Sequence, residues 1–222
     1  MSTLRLILFD CDGTLVDSGT HIVGAMQAAF THHGLTPPDA DAVRGIIGLS
    51  LPFAIAALHA DDPAVHDELV EAYKTIYRDA ATKEAAMEPL YPGVNAMLDA
   101  VSGEATLLGV ATGKSRNGLN RIIRQHGMDG RFVTTKTADD AASKPSPDMV
   151  LQALGETGCE AARTVVVGDS AFDMQMARAA GAFAVGVSWG YQPPERLADA
   201  GAHAIAAGMA DLPGVIAELV AP

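Results

Sequence analysis

The sequence has few cysteines, few basic residues and no long apolar run, and each of these shortages disfavours a class of protein. Only two of its 222 residues are cysteine, so we expect no disulfide framework and a reduced, cytoplasmic setting. No apolar run reaches the roughly eighteen residues that cross a bilayer. The short N-terminal apolar run leads into acidic residues, not into a small-residue cleavage site. We therefore expect neither a membrane partner nor a signal peptide.

Basic residues are also scarce. Lys and Arg number 15 against 27 Asp and Glu, which gives a formal net charge of −12. Nucleic acid is disfavoured as a partner because it requires basic stripes. An anionic substrate has to be attracted by local charges, since the overall field repels it.

Residues 4–18 begin with a short apolar run that breaks into Asp10, Cys11, Asp12, Gly13 and Thr14, which predicts a buried strand ending in a turn. Side chains alternate along a strand, so Asp10 and Asp12 point the same way if the extended geometry persists. Two like charges at the end of a buried strand need a cation or a shared proton. The alternative is that both residues only cap a turn, where Asp and Gly are common.

The segment of residues 17–89 shows helical periodicity and no strand pattern. Helices are predicted over residues 21–33, from Asp39 or Asp41 to Val43, over 50–59, and from Pro63 to about Tyr77. A stiff break, EPLYPG, follows at residues 88–93. We predict an all-helical insert over residues 17–89 and a separate unit made of residues 1–16 and 90–222.

From residue 94 onward, predicted helices alternate with predicted strands. The helices are expected at residues 94–101, 117–126, 146–154, 172–180 and about 212–220. The strands are expected at residues 106–111, 132–133, 164–167 and 183–187. This alternation predicts an α/β fold with a doubly wound (Rossmann-like) parallel sheet. The functional site of such a sheet lies at the carboxyl ends of its strands.

Four polar clusters follow predicted strands or neighbouring loops, at that edge of the sheet. They are Asp10 with Asp12, Thr112, Lys144 in the loop SKPSPD, and Asp169 with Asp173. Each alone has an ordinary explanation as a helix cap, a turn or a solvated surface residue. If all of these ordinary explanations held, four unrelated polar clusters would lie at the same edge of the sheet by chance.

Phosphoryl transfer fits this set because it needs in-line positioning and neutralised equatorial oxygens. Carboxylates favour a hard cation, which we expect to be Mg²⁺. Lys144 and the Thr112 hydroxyl can hold phosphoryl oxygens, as can the backbone N–H groups around Asp12 to Thr14. The seven histidines fall outside the strand-end positions and are expected to be surface or cap residues.

At this point the chain resembles the haloacid dehalogenase superfamily of phosphohydrolases over nearly its whole length. Four motifs carry the resemblance, in the family's order: DCDGT at residues 10–14, Thr112 in ATGKS, Lys144 in SKPSPD, and Gly168-Asp169 with Asp173. The helical insert resembles the family's cap, a lid over the active site. The segment from Thr137 to Tyr191 is similar to phosphoglycolate-phosphatase-like members.

The resemblance implies roles for these residues. Asp10 is then the nucleophile that forms an aspartyl-phosphate, and Asp12 is the general acid and later the general base. Mg²⁺ would be held by Asp10, the Asp12 carbonyl and Asp169, with Asp173 contacting Lys144 or a metal-bound water. The implied phosphate-binding set is Gly13, Thr14, Thr112, Gly113 and Lys144.

Several other functions remain open. A dehalogenase is disfavoured because halide leaves without a proton, so Asp12 would have no task. A phosphomutase would need an acid/base group in the cap, and a phosphonate hydrolase would need a cap lysine, for which Lys74 and Lys83 are available. A phospho-signalling module or a catalytically silent partner-binding relative is the non-enzymatic alternative.

Substrate choice is expected to lie in the cap. Arg44, in the loop of residues 44–49, can meet a second anionic group of the substrate, and it can equally be a surface arginine. Lys114 and Arg116 are similar candidates. The expected partner is a small-molecule phosphate ester, phosphoglycolate included, and the pattern predicts no particular oligomeric state.

Overall fold

The computed structural model describes residues 4–81 and 88–220, which form six β-strands and ten α-helices. The strands are β1 (Arg5–Phe9), β2 (Thr106–Ala111), β3 (Thr134–Lys136), β4 (Thr164–Gly168), β5 (Phe183–Val187) and β6 (Ala204–Ala206). The helices are α1 (Gly19–His32), α2 (Ala40–Ile46), α3 (Leu51–Leu58), α4 (His66–Ala81), α5 (Val94–Val101), α6 (Arg116–Gln125), α7 (Asp148–Thr157), α8 (Ala171–Ala179), α9 (Pro194–Asp199) and α10 (Leu212–Leu219).

The six strands form one parallel sheet in the order β3-β2-β1-β4-β5-β6. Strand β1 lies at the centre, and its last residue, Phe9, pairs in register with Val110 of β2 and Val167 of β4. The strand order reverses direction at β1, because the chain goes from β1 outward through β2 to β3 and then returns to β4. The loops after β1, β2 and β4 therefore meet at one edge, which is the usual ligand position in doubly wound sheets.

Alternate residues of the central strands enter two different hydrophobic cores. Ile7 and Phe9 pack in the core shared with α5, α6 and α10, whereas Leu6 and Leu8 pack in the core shared with α7 and α8. The period of two follows from strand geometry, and burial on both faces explains the continuous apolar run of β1. The predicted doubly wound parallel sheet with helices on both faces is confirmed.

Helices α1 to α4, which we call the helical insertion, build a third core of their own. Its largest members include Met26, Phe30, Ile55 and Leu69, all buried. The two connections to the sheet lie side by side and are hydrogen-bonded: Asp17 N–H donates to the Pro89 carbonyl at 2.9 Å, and Tyr91 N–H donates to the Leu15 carbonyl at 3.0 Å. The domain boundaries at residues 17 and 89 stay a prediction.

Several predicted elements needed correction. The third strand is Thr134–Lys136 and not residues 132–133, because Val133 is exposed and the polar side chains of Thr134 and Lys136 are buried against Glu156. Helix α7 begins at Asp148, two residues after the predicted start. Helix α9 and the short edge strand β6 were not predicted. Within the described residues no helix is long and apolar enough to cross a bilayer.

Candidate active site

Asp10 lies at the end of β1, on the floor of the site. Its backbone N–H continues the sheet by donating to the Val167 carbonyl at 2.8 Å, and its side chain is buried. Oδ1 accepts from the Cys11 N–H at 2.7 Å and lies 3.0 Å from the Lys144 ammonium. Oδ2 is buried and accepts no hydrogen bond from the described part of the chain. One carboxylate oxygen is therefore held, and the other is available to an added group.

The chain turns immediately after Asp10, because the N–H groups of Leu15 and Val16 both donate to the Cys11 carbonyl. Asp10 and Asp12 still border the same cavity, but their side chains have different partners. Gly13 sits in this turn at φ +80°, and a Cβ there would lie 2.2 Å from Asp169 Oδ2. Only glycine combines this backbone angle with so close an approach to Asp169.

Three carboxylates converge at this edge of the sheet. Oxygens of Asp10, Asp169 and Asp173 lie within 4.8 Å of one another, and all three residues are buried. Asp169 follows β4 and accepts from the Thr14 hydroxyl at 3.1 Å and from the Tyr191 N–H at 2.9 Å. These two donors fix its carboxylate in place.

Asp173 lies in the first turn of α8 and completes a capping box with Ser170. One of its oxygens accepts from the Ser170 hydroxyl at 2.6 Å, and the other accepts from the Lys144 ammonium at 2.6 Å. Lys144 has no exposed side-chain surface and bridges Asp173 to Asp10. The sequence-based expectation that Asp173 contacts Lys144 thus agrees with this geometry.

Burial raises the pKa of Asp10 to about 7, because the Lys144 charge offsets only part of the desolvation and of the repulsion from Asp173 and Asp12. Burial, followed by the charges of Asp10 and Asp173, raises the pKa of Asp169 well above its ordinary value. One ammonium faces three carboxylates here. The buried, unpartnered Oδ2 and this excess of negative charge fit a hard divalent cation such as Mg²⁺.

The Asp12 carboxylate belongs to a second network on the side of the helical insertion. Its Oδ1 accepts from the Ser18 hydroxyl at 2.5 Å and lies 2.9 Å from the Lys114 ammonium. Lys114 also lies 3.7 Å from Glu88 and donates to the Tyr77 hydroxyl at 3.2 Å. Burial would lower the pKa of Lys114, but the negative charges of Asp12 and Glu88 outweigh it and raise that pKa.

Glu88 is the residue that sequence reasoning missed. It is fully buried where the chain returns from the helical insertion, and it is paired with Arg121 at 3.1 Å, hydrogen-bonded by Tyr77 and close to Lys114. Its carbonyl also accepts from His126. In the sequence Glu88 precedes a proline in a linker, where a glutamate is usually solvated. Its position at the break of residues 88–93 was the only sign of a special role.

The loop after β2, which contains Thr112 and Gly113, packs closely against the helical insertion. Thr112 is buried and borders the cavity. A Cβ on Gly113 would lie 2.6 Å from the carbonyl oxygens of both Gly48 and Leu49. The loop after α2 therefore reaches the site, and glycine at position 113 is what lets the two backbones approach.

Two of the candidate specificity residues lie elsewhere. Arg44 is half-buried and pairs with Asp41 at 2.9 Å, and it does not border the cavity. Arg116 pairs with Asp140 and hydrogen-bonds Thr135, again away from the cavity. Lys74 borders the cavity but is exposed and paired with Glu71, whereas Lys83 lies outside the described residues.

These features define a doubly wound α/β protein with a carboxylate–lysine centre at the carboxyl edge of its sheet and a helical insertion over it. A family model described as haloacid dehalogenase-like hydrolase matches residues 7–187. The chain belongs to the haloacid dehalogenase-like hydrolases.

Individual relatives agree with this family. The chain is 35% identical to a probable phosphatase, IndB, of Dickeya dadantii over 86% of this chain and 84% of that protein. It is 28% identical to a phosphoglycolate phosphatase of Pseudomonas savastanoi over 88% of this chain and 73% of that protein. A solved haloacid dehalogenase-like hydrolase of Streptococcus pneumoniae, SP0104, superimposes with a TM-score of 0.83 at 26% identity, covering 97% of this chain and 99% of that one.

Proposed function

We propose that this hydrolase is a Mg²⁺-dependent phosphatase that cleaves a phosphate monoester through an aspartyl-phosphate on Asp10. The observation that carries the proposal is the Asp10 carboxylate, buried on the cavity floor with one oxygen held by Lys144 and the other unpartnered in the described chain. The phosphatase names of the Dickeya and Pseudomonas relatives support the same proposal. The two cysteines, both buried free thiols, favour a cytoplasmic location.

Asp10, Asp169 and the Asp12 carbonyl would hold the ion, with Asp173 beside them. Bound there, Mg²⁺ would neutralise the charge that the phosphoryl group brings to these carboxylates. Thr112, Gly113, Lys144 and the N–H groups of Gly13 and Thr14 would bind the remaining phosphoryl oxygens, as the resemblance implies. Thr14 has a second task, because its hydroxyl already donates to Asp169.

The reaction would proceed in two displacements. An Asp10 carboxylate oxygen attacks phosphorus, the bond from phosphorus to the ester oxygen breaks, and Asp12 gives its proton to the leaving alkoxide. Asp12 then takes a proton from water, which attacks phosphorus, breaks the bond to Asp10 and releases inorganic phosphate. The nucleophile and the acid/base group are thus two residues apart in sequence but sit in separate networks.

We propose that Lys114 positions Asp12 for this proton transfer, in place of the substrate contact expected from sequence. Its ammonium and the Ser18 hydroxyl both engage Asp12 Oδ1, so the carboxyl cannot rotate freely. Glu88 and Tyr77 hold Lys114 in turn. Since Tyr77 lies on α4, the acid/base group is connected to the helical insertion.

The alternative functions have less support. A mutase needs an acid/base group in the helical insertion, and the described insertion residues that border the cavity include no carboxylate and no histidine. The lysine of a phosphonate hydrolase would have to be Lys74, which is exposed and paired with Glu71. Asp10, Asp12 and Asp169 are all retained, which disfavours a silent partner-binding relative. Phosphoglycolate stays a candidate substrate.

The test is hydrolysis of p-nitrophenyl phosphate by the purified protein with Mg²⁺ and with EDTA. We expect turnover only with the metal, and a loss on the order of 10⁴-fold or more in Asp10→Asn, because no carboxylate remains to attack. Asp99→Asn is the matched control, since Asp99 is an exposed aspartate paired with Arg131 away from the site. Substantial turnover in Asp10→Asn would end the nucleophile assignment.

A further inference from the structure

We infer that the substrate's leaving group is bulky, uncharged and largely apolar, which separates it from phosphoglycolate. This inference rests on the proposed phosphatase function and concerns the part of the cavity beyond the phosphoryl site. That cavity has a volume of about 880 Å³ and runs from Asp10 and Asp12 into the helical insertion. Such a volume falls in the range of sites for drug-sized ligands, and a two-carbon acid would fill only a fraction of it.

The wall that the helical insertion contributes is mainly apolar. Its members include Ile22, Met26, Ile47, Leu49, Phe53 and Tyr73. Phe53 is the most exposed large apolar side chain among the described residues, at 61% of its full area. An apolar side chain that is open to solvent, in a cavity that also contains Asp10 and Asp12, gains free energy when an apolar ligand group covers it.

Two of the described cations that border the cavity are held by acidic partners. Lys114 is held by Asp12 and Glu88, and Arg121 is held by Glu88. A carboxylate on the leaving group would therefore find no buried, unpaired cation among the described residues of the cavity wall, so its binding there would gain little.

Among the described residues, the other cations near the cavity wall lie at or near the surface. Lys74 pairs with Glu71, and Arg44 pairs with Asp41 outside the cavity. Arg78 also borders the cavity, but its side chain is exposed, where water screens its charge. The net charge of −12 adds a general repulsion against a second negative group.

The test compares kcat/KM for ethyl phosphate, 2-phenylethyl phosphate and phosphoglycolate with Mg²⁺. The first two release primary alkoxides of similar basicity, so their difference reports on contacts to the phenyl group. We expect 2-phenylethyl phosphate to exceed ethyl phosphate by at least about tenfold, since apolar contacts in a pocket give that order of discrimination. We also expect it to exceed phosphoglycolate. Equal or better hydrolysis of phosphoglycolate or ethyl phosphate would overturn the inference.

Phe53→Ala tests the wall directly. We expect it to lower the ratio of kcat/KM for 2-phenylethyl phosphate over ethyl phosphate at least threefold, which corresponds to about 0.7 kcal/mol of lost apolar contact. Leu151→Ala is the control, because Leu151 is a comparably exposed apolar residue on α7 outside the cavity. An unchanged ratio in Phe53→Ala would show that the apolar wall does not contact the leaving group.

Failure of the inference can be told apart from failure of the proposed function. If no ester and no p-nitrophenyl phosphate is hydrolysed, the phosphatase proposal fails. Binding of the non-hydrolysable 2-phenylethylphosphonate and ethylphosphonate, measured by calorimetry with Mg²⁺, then still tests the cavity. Preference for the phenyl compound supports the apolar leaving-group site, and equal affinity refutes it.

Discussion

The Lys114→Met substitution tests how the acid/base group is held. Methionine keeps the length and the apolar stem of the side chain but removes the ammonium that lies 2.9 Å from Asp12 and 3.7 Å from Glu88. Lys114 is almost completely buried, at 7% side-chain exposure, so water cannot replace the lost charge easily. The substitution therefore removes the same charged partner from two carboxylates, those of Asp12 and Glu88.

The expected size of the effect follows from what those carboxylates retain. Removing one partner of a buried ion pair costs about 3–5 kcal/mol. Here Asp12 keeps the Ser18 hydroxyl, and Glu88 keeps Arg121 and Tyr77. We therefore expect a loss of about 2–3 kcal/mol in the free energy of unfolding. For a chain of this size that corresponds to a Tm lower by about 4–12 °C.

The catalytic effect is expected to depend on the leaving group. A misoriented Asp12 delivers its proton poorly, which affects ethyl phosphate more than p-nitrophenyl phosphate, because nitrophenolate departs without protonation. We expect kcat for ethyl phosphate to fall about 10–100-fold, and kcat for p-nitrophenyl phosphate to fall by less. Steady-state kinetics with both esters and thermal unfolding of the same preparations measure the two effects.

Lys136→Met is the matched control for burial. Lys136 is also a buried lysine in an ion pair, with Glu156, but it does not border the cavity. The Lys136→Met variant should be less stable than the wild type and keep the wild-type kcat. If Lys114→Met lowers Tm and leaves kcat for ethyl phosphate within twofold of wild type, Lys114 only stabilises the fold and the positioning role is refuted. A double-mutant cycle with Glu88→Gln should show coupling of about 1 kcal/mol or more, because the two side chains share one network.

Three further predictions concern other parts of the site and its surroundings. Asp12→Asn should lose turnover while calorimetry still detects binding of a phosphonate, and an unchanged rate at every pH would refute its acid/base role. Gly190→Ala would place a Cβ 2.0 Å from the Cβ of Asp169, so we expect a lower Tm and a higher Mg²⁺ concentration for half-maximal activity, and no change in either would contradict the packing. Hydrogen bonds donated by the side chain and backbone of Thr137 and by Arg116 outweigh the effect of burial and lower the pKa of Asp140. The stability that Asp140 contributes to the fold is therefore present above the ordinary carboxyl pKa and is lost as the pH falls through the lowered value. Because solvent screens this exposed carboxylate, Asp140→Asn should lower the free energy of unfolding by only about 0.5 kcal/mol near neutral pH and by less in acid, as unfolding at both pH values would measure.

The positions of the site residues could be predicted because they depend on local pattern. An apolar run that breaks at Asp10, and another that breaks at Asp169, marks two strand ends, and a parallel sheet brings such ends together. Asp173 lies one helical turn beyond Ser170, which the capping pattern anticipates. Local spacing therefore identified the acidic cluster before any contact was known.

Side-chain partners could not be predicted because they depend on distant segments. Arg44 and Lys114 were equivalent candidates in sequence, yet one pairs with Asp41 in its own helix and the other with Asp12, 102 positions earlier in the chain. The partners of Glu88, Tyr77 and Arg121, come from two different helices, so its burial could not be deduced from its own segment. The third strand was misplaced for a related reason, because β3 is short and polar and its side chains are covered by α7.

The paired connections at Leu15–Asp17 and Pro89–Tyr91 have a consequence for how this architecture can change. The chain leaves the sheet and returns to it through adjacent backbone segments that hydrogen-bond each other. Whatever lies between these two points can be lengthened, shortened or exchanged without altering the register of any strand. The insertion residues that contact the leaving group can thus diverge without moving Asp10, and a chimera carrying a relative's insertion between these connections should keep its fold if it also keeps the contact of Tyr77 with Lys114.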